Sequence, residues 1–205
     1  MTMRSGCPLI LVVDDDRLIL STLAMGLEKE GFATLRAASG EEAVQICQQQ
    51  RPDLILMDIR LTGMSGIEAA QRIHALIDVP VIFLSAYDDA QTVQQAIGQG
   101  GMGYLVKPLE VRQLVPEIRA ALARAADLGQ LKTTEAQLSR ALAAERDTSI
   151  AIGILMERRK LSAADALELL RVQSRPNRRK VAEVAKEIVD STEALLPPPR
   201  KKIRP

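Results

Sequence analysis

The sequence predicts an α/β fold: a five-stranded parallel, doubly wound domain, followed by a long linking helix and a small all-α domain of three helices. Three observations predict it. Short runs that are apolar at every position alternate with amphipathic stretches through roughly the first 120 residues. Strand-like runs then stop, and only helical patterns follow. Charge divides at the same place: residues 1–125 carry 11 Lys+Arg against 15 Asp+Glu, net −4, and residues 126–205 carry 16 against 11, net +5. With 47% apolar residues in a chain of 205, there is material for a buried core, which excludes disorder as the main state.

The runs Leu9-Ile-Leu-Val-Val13, Leu54-Ile-Leu-Met57 and Val79-Pro-Val-Ile-Phe-Leu84 are too short for helices and lack polar positions, as strands covered on both faces do. Weaker strands are expected at 34–37 and 104–106. Helical spacing occupies residues 17–30, 40–49, 66–77, 89–99 and 110–126, with Asp16 expected as the cap of the first helix. Five strand–helix units in series make a parallel sheet between helix layers, assigned to residues 8–124.

Residues 125–147 are expected to form a helical or coiled-coil linker. Leu128, Leu131, Leu138 and Leu142 fit a 3-4 spacing, while Glu135 and Glu145 occupy seam positions and Gly129 weakens the start. The leucines are expected either to form a homodimer seam or to pack on their own chain. The helix runs on into residues 150–158 and so into the third region, 148–194. Ser162 opens the next helix as a capping residue, and Ala166, Leu169 and Leu170 form its buried face. Pro176 is expected to end it and to sit in the first turn of a last helix that carries Val181, Val184, Ala185, Ile188 and Val189. Gly153 costs ~1 kcal/mol inside a helix, a loss that close contact with Ala166 or Ala185 is expected to offset. The tail, residues 195–205, is basic and proline-rich and is expected to be disordered.

No apolar run approaches the ~18 residues of a membrane span, and the first eight residues lack a signal-peptide layout. A cytoplasmic protein without membrane contact is expected. Cys7, Cys47 and the lone His74 are too dispersed for a disulfide framework or a zinc site.

In an open parallel sheet, residues at the carboxyl ends of strands converge on one edge, where ligands bind. Here Asp14, Asp15 and Asp16 follow the first strand, Asp58 the third, Ser85 the fourth and Lys107 the fifth. Carboxylates meeting in that way repel one another and call for a hard divalent cation, Mg²⁺ above all. The motifs Val12-Val-Asp-Asp-Asp16, Leu56-Met-Asp58, Leu84-Ser-Ala86 and Tyr104-Leu-Val-Lys-Pro108, in this order, resemble the receiver domain of bacterial response regulators. The resemblance implies that Asp58 accepts a phosphoryl group from a sensor histidine kinase or small donor. It also implies that Asp14, Asp15, Asp58 and the backbone carbonyl of Arg60 hold Mg²⁺, that Lys107 and Ser85 contact the phosphoryl oxygens, and that Tyr104 with Ser85 forms the switch. This is self-modification rather than turnover, so no enzyme is expected.

The third region offers no nucleophile–base pair. Between residues 158 and 180 it carries eight basic residues, Arg158, Arg159, Lys160, Arg171, Arg175, Arg178, Arg179 and Lys180, against Asp165 and Glu168. Such a cluster attracts phosphate, and nucleic acid is the commonest partner. All four aromatic residues, Phe32, Phe83, Tyr87 and Tyr104, lie in the first region, which excludes base stacking on ring platforms in the third. The run Ala151-Ile-Gly-Ile-Leu-Met-Glu-Arg158 and the helices after it resemble the ANTAR domain, the RNA-binding output of transcription antitermination regulators. Binding of RNA hairpins is what this resemblance implies. A phosphorylation-controlled DNA-binding regulator and a protein-interaction regulator are the competing expectations.

Overall fold

A computed structural model describes residues 6–85, 101–108, 110–176 and 179–193. The chain divides into two compact units, Met1–Gln130 and Leu131–Pro205. The first unit runs β1 (Leu9–Val13), α1 (Arg17–Lys29), β2 (Ala33–Ala37), α2 (Gly40–Gln49), β3 (Leu54–Asp58), α3 (Gly66–His74), β4 (Val81–Ser85), β5 (Gly101–Val106) and the first part of α4 (Val111–Arg159). All strand pairs are parallel, in the order β2-β1-β3-β4-β5. The chain steps outward from β1 to β2 and then returns to the other side of β1 with β3. The carboxyl ends of β1 and β3 therefore flank the point where the winding reverses, which leaves a crevice there.

Alternation of side chains along each strand explains why every position of the central strands is apolar. Leu11, Val13, Ile55, Met57, Val81 and Phe83 point to one face and pack with α2 and α3 through Ala43, Cys47, Ala69, Ala70 and Ile73. Ile10, Val12, Leu54, Leu56, Ile82 and Leu84 point to the other, against Leu20, Leu23 and Leu27 of α1 and Leu114, Ile118 and Ala121 of α4. Asp16 caps α1, accepting the Leu18 and Ile19 N–H groups at 2.8 and 3.2 Å.

Some element boundaries differ from expectation for local reasons. Strand β4 begins at Val81 rather than residue 79, because Pro80 has no N–H for the ladder; its carbonyl still accepts the Ile55 N–H at 2.9 Å. Helix α3 stops at His74, three residues early, since Leu76 and Ile77 both donate to Ile73 and tighten the chain before Pro80. The helix expected at 89–99 lies outside the described residues.

The second unit holds the rest of α4, then α5 (Ala163–Ser174) and α6 (Val181–Glu193). Ala151, Leu155, Ala166, Leu170, Val184, Ala185 and Val189 form its core. Ser162 caps α5, accepting the Asp165 N–H at 3.2 Å while its hydroxyl donates to the Asp165 carboxylate at 2.6 Å. Two expectations are corrected. Gly153 is exposed, and a Cβ there would meet nothing within 4 Å. The small core residue on α4 is instead Ala151, and two residues further on is about 200° around the helix, which turns Gly153 away. Pro176 lies in the connection and not in the first turn of α6, which starts at Val181. The start is set by Lys180 and Glu183: the Lys180 carbonyl accepts the Glu183 N–H at 3.0 Å, and the Glu183 carboxylate accepts the Lys180 N–H at 3.3 Å. Leu128, Leu131, Leu138 and Leu142 are exposed. Among the described residues, no helix is long and apolar enough to cross a membrane.

Candidate functional site: an acidic pocket and a basic helical surface

Sheet order assembles the pocket. Asp14 follows β1, Asp58 ends β3, Ser85 ends β4 and Lys107 follows β5, so four neighbouring strand ends deliver four polar residues to one edge. The Lys107 Nζ donates to Asp14 Oδ2 at 2.6 Å and to Asp58 Oδ2 at 2.7 Å. Its backbone N–H donates to the Ser85 carbonyl at 2.7 Å, extending the β4–β5 ladder and setting the direction from which the side chain reaches back. The second oxygens of the two buried carboxylates accept nearby backbone groups, Asp14 Oδ1 from the Asp16 N–H at 3.0 Å and Asp58 Oδ1 from the Arg60 N–H at 3.2 Å.

Asp15 is exposed and held differently. Its Oδ2 accepts both the Thr62 N–H at 3.0 Å and the Thr62 hydroxyl at 2.5 Å. One carboxylate oxygen from each of Asp14, Asp15 and Asp58 lies within 4.8 Å of the others. Three carboxylates thus face one ammonium, which bonds only two of them.

Proton affinities follow from these surroundings. Burial pushes the Asp14 carboxyl up; the hydrogen bond from Lys107, the Asp16 N–H and the Lys107 charge oppose that shift without cancelling it. Burial alone would lower the Lys107 ammonium, yet hydrogen bonds to Asp14 and Asp58 and their charges outweigh it and hold the group above its ordinary value. The Thr62 hydroxyl keeps Asp15 below the usual carboxylate range. The set suits a divalent cation: oxygen donors only, closely grouped, with negative charge in excess of the single lysine.

A glycine lets α3 begin beside Asp58. A Cβ at Gly66 would sit 1.9 Å from the Asp58 carbonyl oxygen, so no other residue fits without moving that backbone. The remaining expected residues are placed as follows. Ser85 is buried at the end of β4; Arg60 is exposed just past Asp58; Tyr104 is exposed on β5. Sequence reading missed Thr62 and Glu41. Glu41 accepts the Met64 N–H at 3.2 Å and so anchors the β3–α3 connection from α2. Neither residue forms a motif with its partner, and Thr62 stands 47 residues from Asp15.

In the second unit, Arg158 and Arg159 occupy the last turn of α4, and Lys160, with a left-handed φ of 54°, ends the helix and pairs with Glu157 at 2.8 Å. Arg171 and Arg175 share Glu168 at 3.5 and 3.2 Å, and Arg179 pairs with Glu187. Arg158, Arg159 and Lys180 form no side-chain ion pair among the described residues, and Arg178 lies outside them. A shallow groove of about 430 Å³ opens between the helices, with Thr148, Ser149, Leu167, Arg171 and Val181 in its walls.

Comparison with known proteins agrees with both halves of this description. Residues 10–119 match the response regulator receiver domain family, and residues 136–189 match the ANTAR domain family. The transcriptional regulatory protein PdtaR of Mycobacterium tuberculosis is 31% identical over 182 residues, which is 87% of this chain and 89% of that protein. The DNA-binding response regulator MtrA of Mycobacterium leprae is 37% identical over 115 residues, 56% of this chain and 51% of the relative. Among solved structures, a CheY-like receiver domain protein from Methanospirillum hungatei superposes with a TM-score of 0.57 at 28% identity, covering 60% of this chain and 98% of that one. With the pocket at the strand ends and a three-helix unit after it, the chain belongs to the response regulators of two-component systems and combines a receiver domain with a C-terminal ANTAR domain.

Proposed function

We propose that this regulator is phosphorylated on Asp58 by a sensor histidine kinase, with Mg²⁺ as cofactor, and that its ANTAR unit then binds RNA hairpins and acts as a transcription antiterminator. The observation that carries the first half is the pocket itself: Asp58 Oδ2 2.7 Å from Lys107 Nζ, with Asp14 and Asp15 oxygens within 4.8 Å. Asp14, Asp15, Asp58 and the Arg60 carbonyl would hold the cation, which when bound supplies positive charge to offset the phosphoryl oxygens and the carboxylates together. Asp58 is the nucleophile. A carboxylate attacking a phosphoryl group approaches an anion, and the Lys107 ammonium lowers that repulsion by facing the charge where it is carried in the transition state. The buried Ser85, at the end of the adjacent strand, donates its hydroxyl to the new phosphoryl group, which draws Ser85 inward, and Tyr104 on β5 responds to that movement.

The match of residues 136–189 to the ANTAR family and the excess of basic side chains at the helix junctions support RNA as the partner of the second unit. Arg158, Arg159 and Lys180, without a side-chain ion pair among the described residues, lead in attracting phosphate, while Lys160, Arg171, Arg175, Arg178 and Arg179 complete the basic surface. The exposed leucines of α4 supply a homodimer seam.

The full chain, incubated with a radiolabelled small phosphodonor, is expected to take up label only with Mg²⁺ present, and Asp58→Asn is expected to reduce labelling to background. Label persisting in Asp58→Asn would relocate the acceptor. A mobility-shift comparison of hairpin RNA with duplex DNA tests the second half, where equal affinity would abandon RNA in favour of a DNA-binding or protein-interaction regulator.

A further inference from the structure

Thr62 belongs to none of the residues expected at the pocket, yet it bonds Asp15 twice. The Thr62 N–H and hydroxyl both donate to Asp15 Oδ2, at 3.0 and 2.5 Å. Asp14 and Asp58 are buried and each bonded to Lys107, so burial and an ion pair fix their orientation. Asp15 has neither, being exposed and outside hydrogen-bond reach of the lysine. A free aspartate at a loop start samples several rotamers, and a ligand must then order it at an entropic cost. The double hydrogen bond from Thr62 removes that freedom before any ligand arrives. It also ties Asp15 to the connection between β3 and α3, the segment that carries Arg60.

We propose that Thr62 is a positioning residue for the divalent-cation site, holding the Asp15 carboxylate beside those of Asp14 and Asp58 and locking the β3–α3 connection to the β1 end in the same step. The inference rests on the reading of this pocket as a Mg²⁺ site. Thr62 does not touch the cation; it acts through Asp15. The connection keeps other anchors without it, since the Met64 N–H bonds Glu41 at 3.2 Å and the Gly66 N–H bonds the Ile59 carbonyl at 3.0 Å. Loss of the Thr62 hydroxyl therefore leaves the backbone path intact and removes one of the two bonds that hold the carboxylate, the Thr62 N–H remaining in place.

Calorimetric titration of the full, unphosphorylated chain with Mg²⁺ alone tests this with Thr62→Val, which keeps the shape and removes the hydroxyl, and Thr62→Ser, which keeps the hydroxyl. Thr62→Val is expected to weaken Mg²⁺ binding roughly tenfold, the loss that one hydrogen bond to a charged group implies, with Thr62→Ser close to the parent. Thermal midpoints measured in EDTA are expected to agree for all three chains, which separates positioning from stability. Equal or tighter Mg²⁺ binding by Thr62→Val, or equal weakness in Thr62→Ser, would overturn the role of Thr62 while leaving the pocket's assignment in place. A parent chain that binds no Mg²⁺ would instead remove the assignment on which the inference stands.

Discussion

Lys107 bonds two carboxylates from two different strand ends, and that single side chain decides the resting state of the pocket. Deleting one partner of a buried ion pair typically costs about 3–5 kcal/mol, because the other charge is left uncompensated. Deleting Lys107 would leave two carboxylates in that condition. The ammonium's raised pKa means that its stabilising effect is complete below its ordinary value and is lost only as pH rises through the higher folded value. Cys47 titrates in the same direction for another reason: it lies on the buried face of α2, in the core, and burial pushes its thiol from 9.0 up to about 11. The folded state therefore holds the proton. That contribution is intact below pH 9 and is lost as pH climbs through about 11. At pH 8, an alkylating reagent is expected to modify one cysteine per native chain, the exposed Cys7, and both after denaturation. Mass spectrometry that finds Cys47 modified in the native chain would contradict this.

The elements differ in how openly the sequence announces them. β1 and β3 were legible because their positions face two helix layers and must all be apolar, and α2 begins and ends where expected because Ser39 caps it and Gln50 turns extended. Five of the pocket's residues, Asp14, Asp15, Asp58, Ser85 and Lys107, were legible because strand ends are fixed by the same pattern. The ends of α3 and β4 were not, since hydrophobic spacing continues past the point where Pro80 forces the chain to straighten. Gly153 misled because periodicity gives a residue's face only relative to its neighbours, and Ala151 had taken the buried side. Thr62 was invisible because a contact across 47 residues leaves no trace in local spacing. For α4, the four exposed leucines at 3-4 spacing give a specific expectation. In sedimentation runs, Leu131→Lys combined with Leu138→Lys is expected to shift self-association of the full chain at least tenfold towards monomer, since two charges at a coiled-coil seam must be desolvated. An unchanged association constant would place any dimer contact elsewhere.

For the molecule as a whole, the division of charge matches the division of chemistry. Residues 1–125 are net −4 and carry the acidic pocket, while residues 126–205 are net +5 and carry the basic helices. Under the proposed function an anionic phosphoryl group and an anionic RNA are received by different units, and a signal then requires that one binding event change the free energy of the other. Such coupling is reciprocal for equilibrium binding and amounts typically to about 1–3 kcal/mol. It is measured by titrating the full chain with hairpin RNA at fixed salt, with and without Mg²⁺ and a small phosphodonor, in parallel with Asp58→Asn. Phosphorylation is expected to tighten RNA binding roughly five- to 150-fold, the span of that coupling range, with Asp58→Asn unresponsive. Identical affinities with and without the phosphodonor, in a chain shown to be phosphorylated on Asp58, would contradict a phosphorylation-controlled RNA switch.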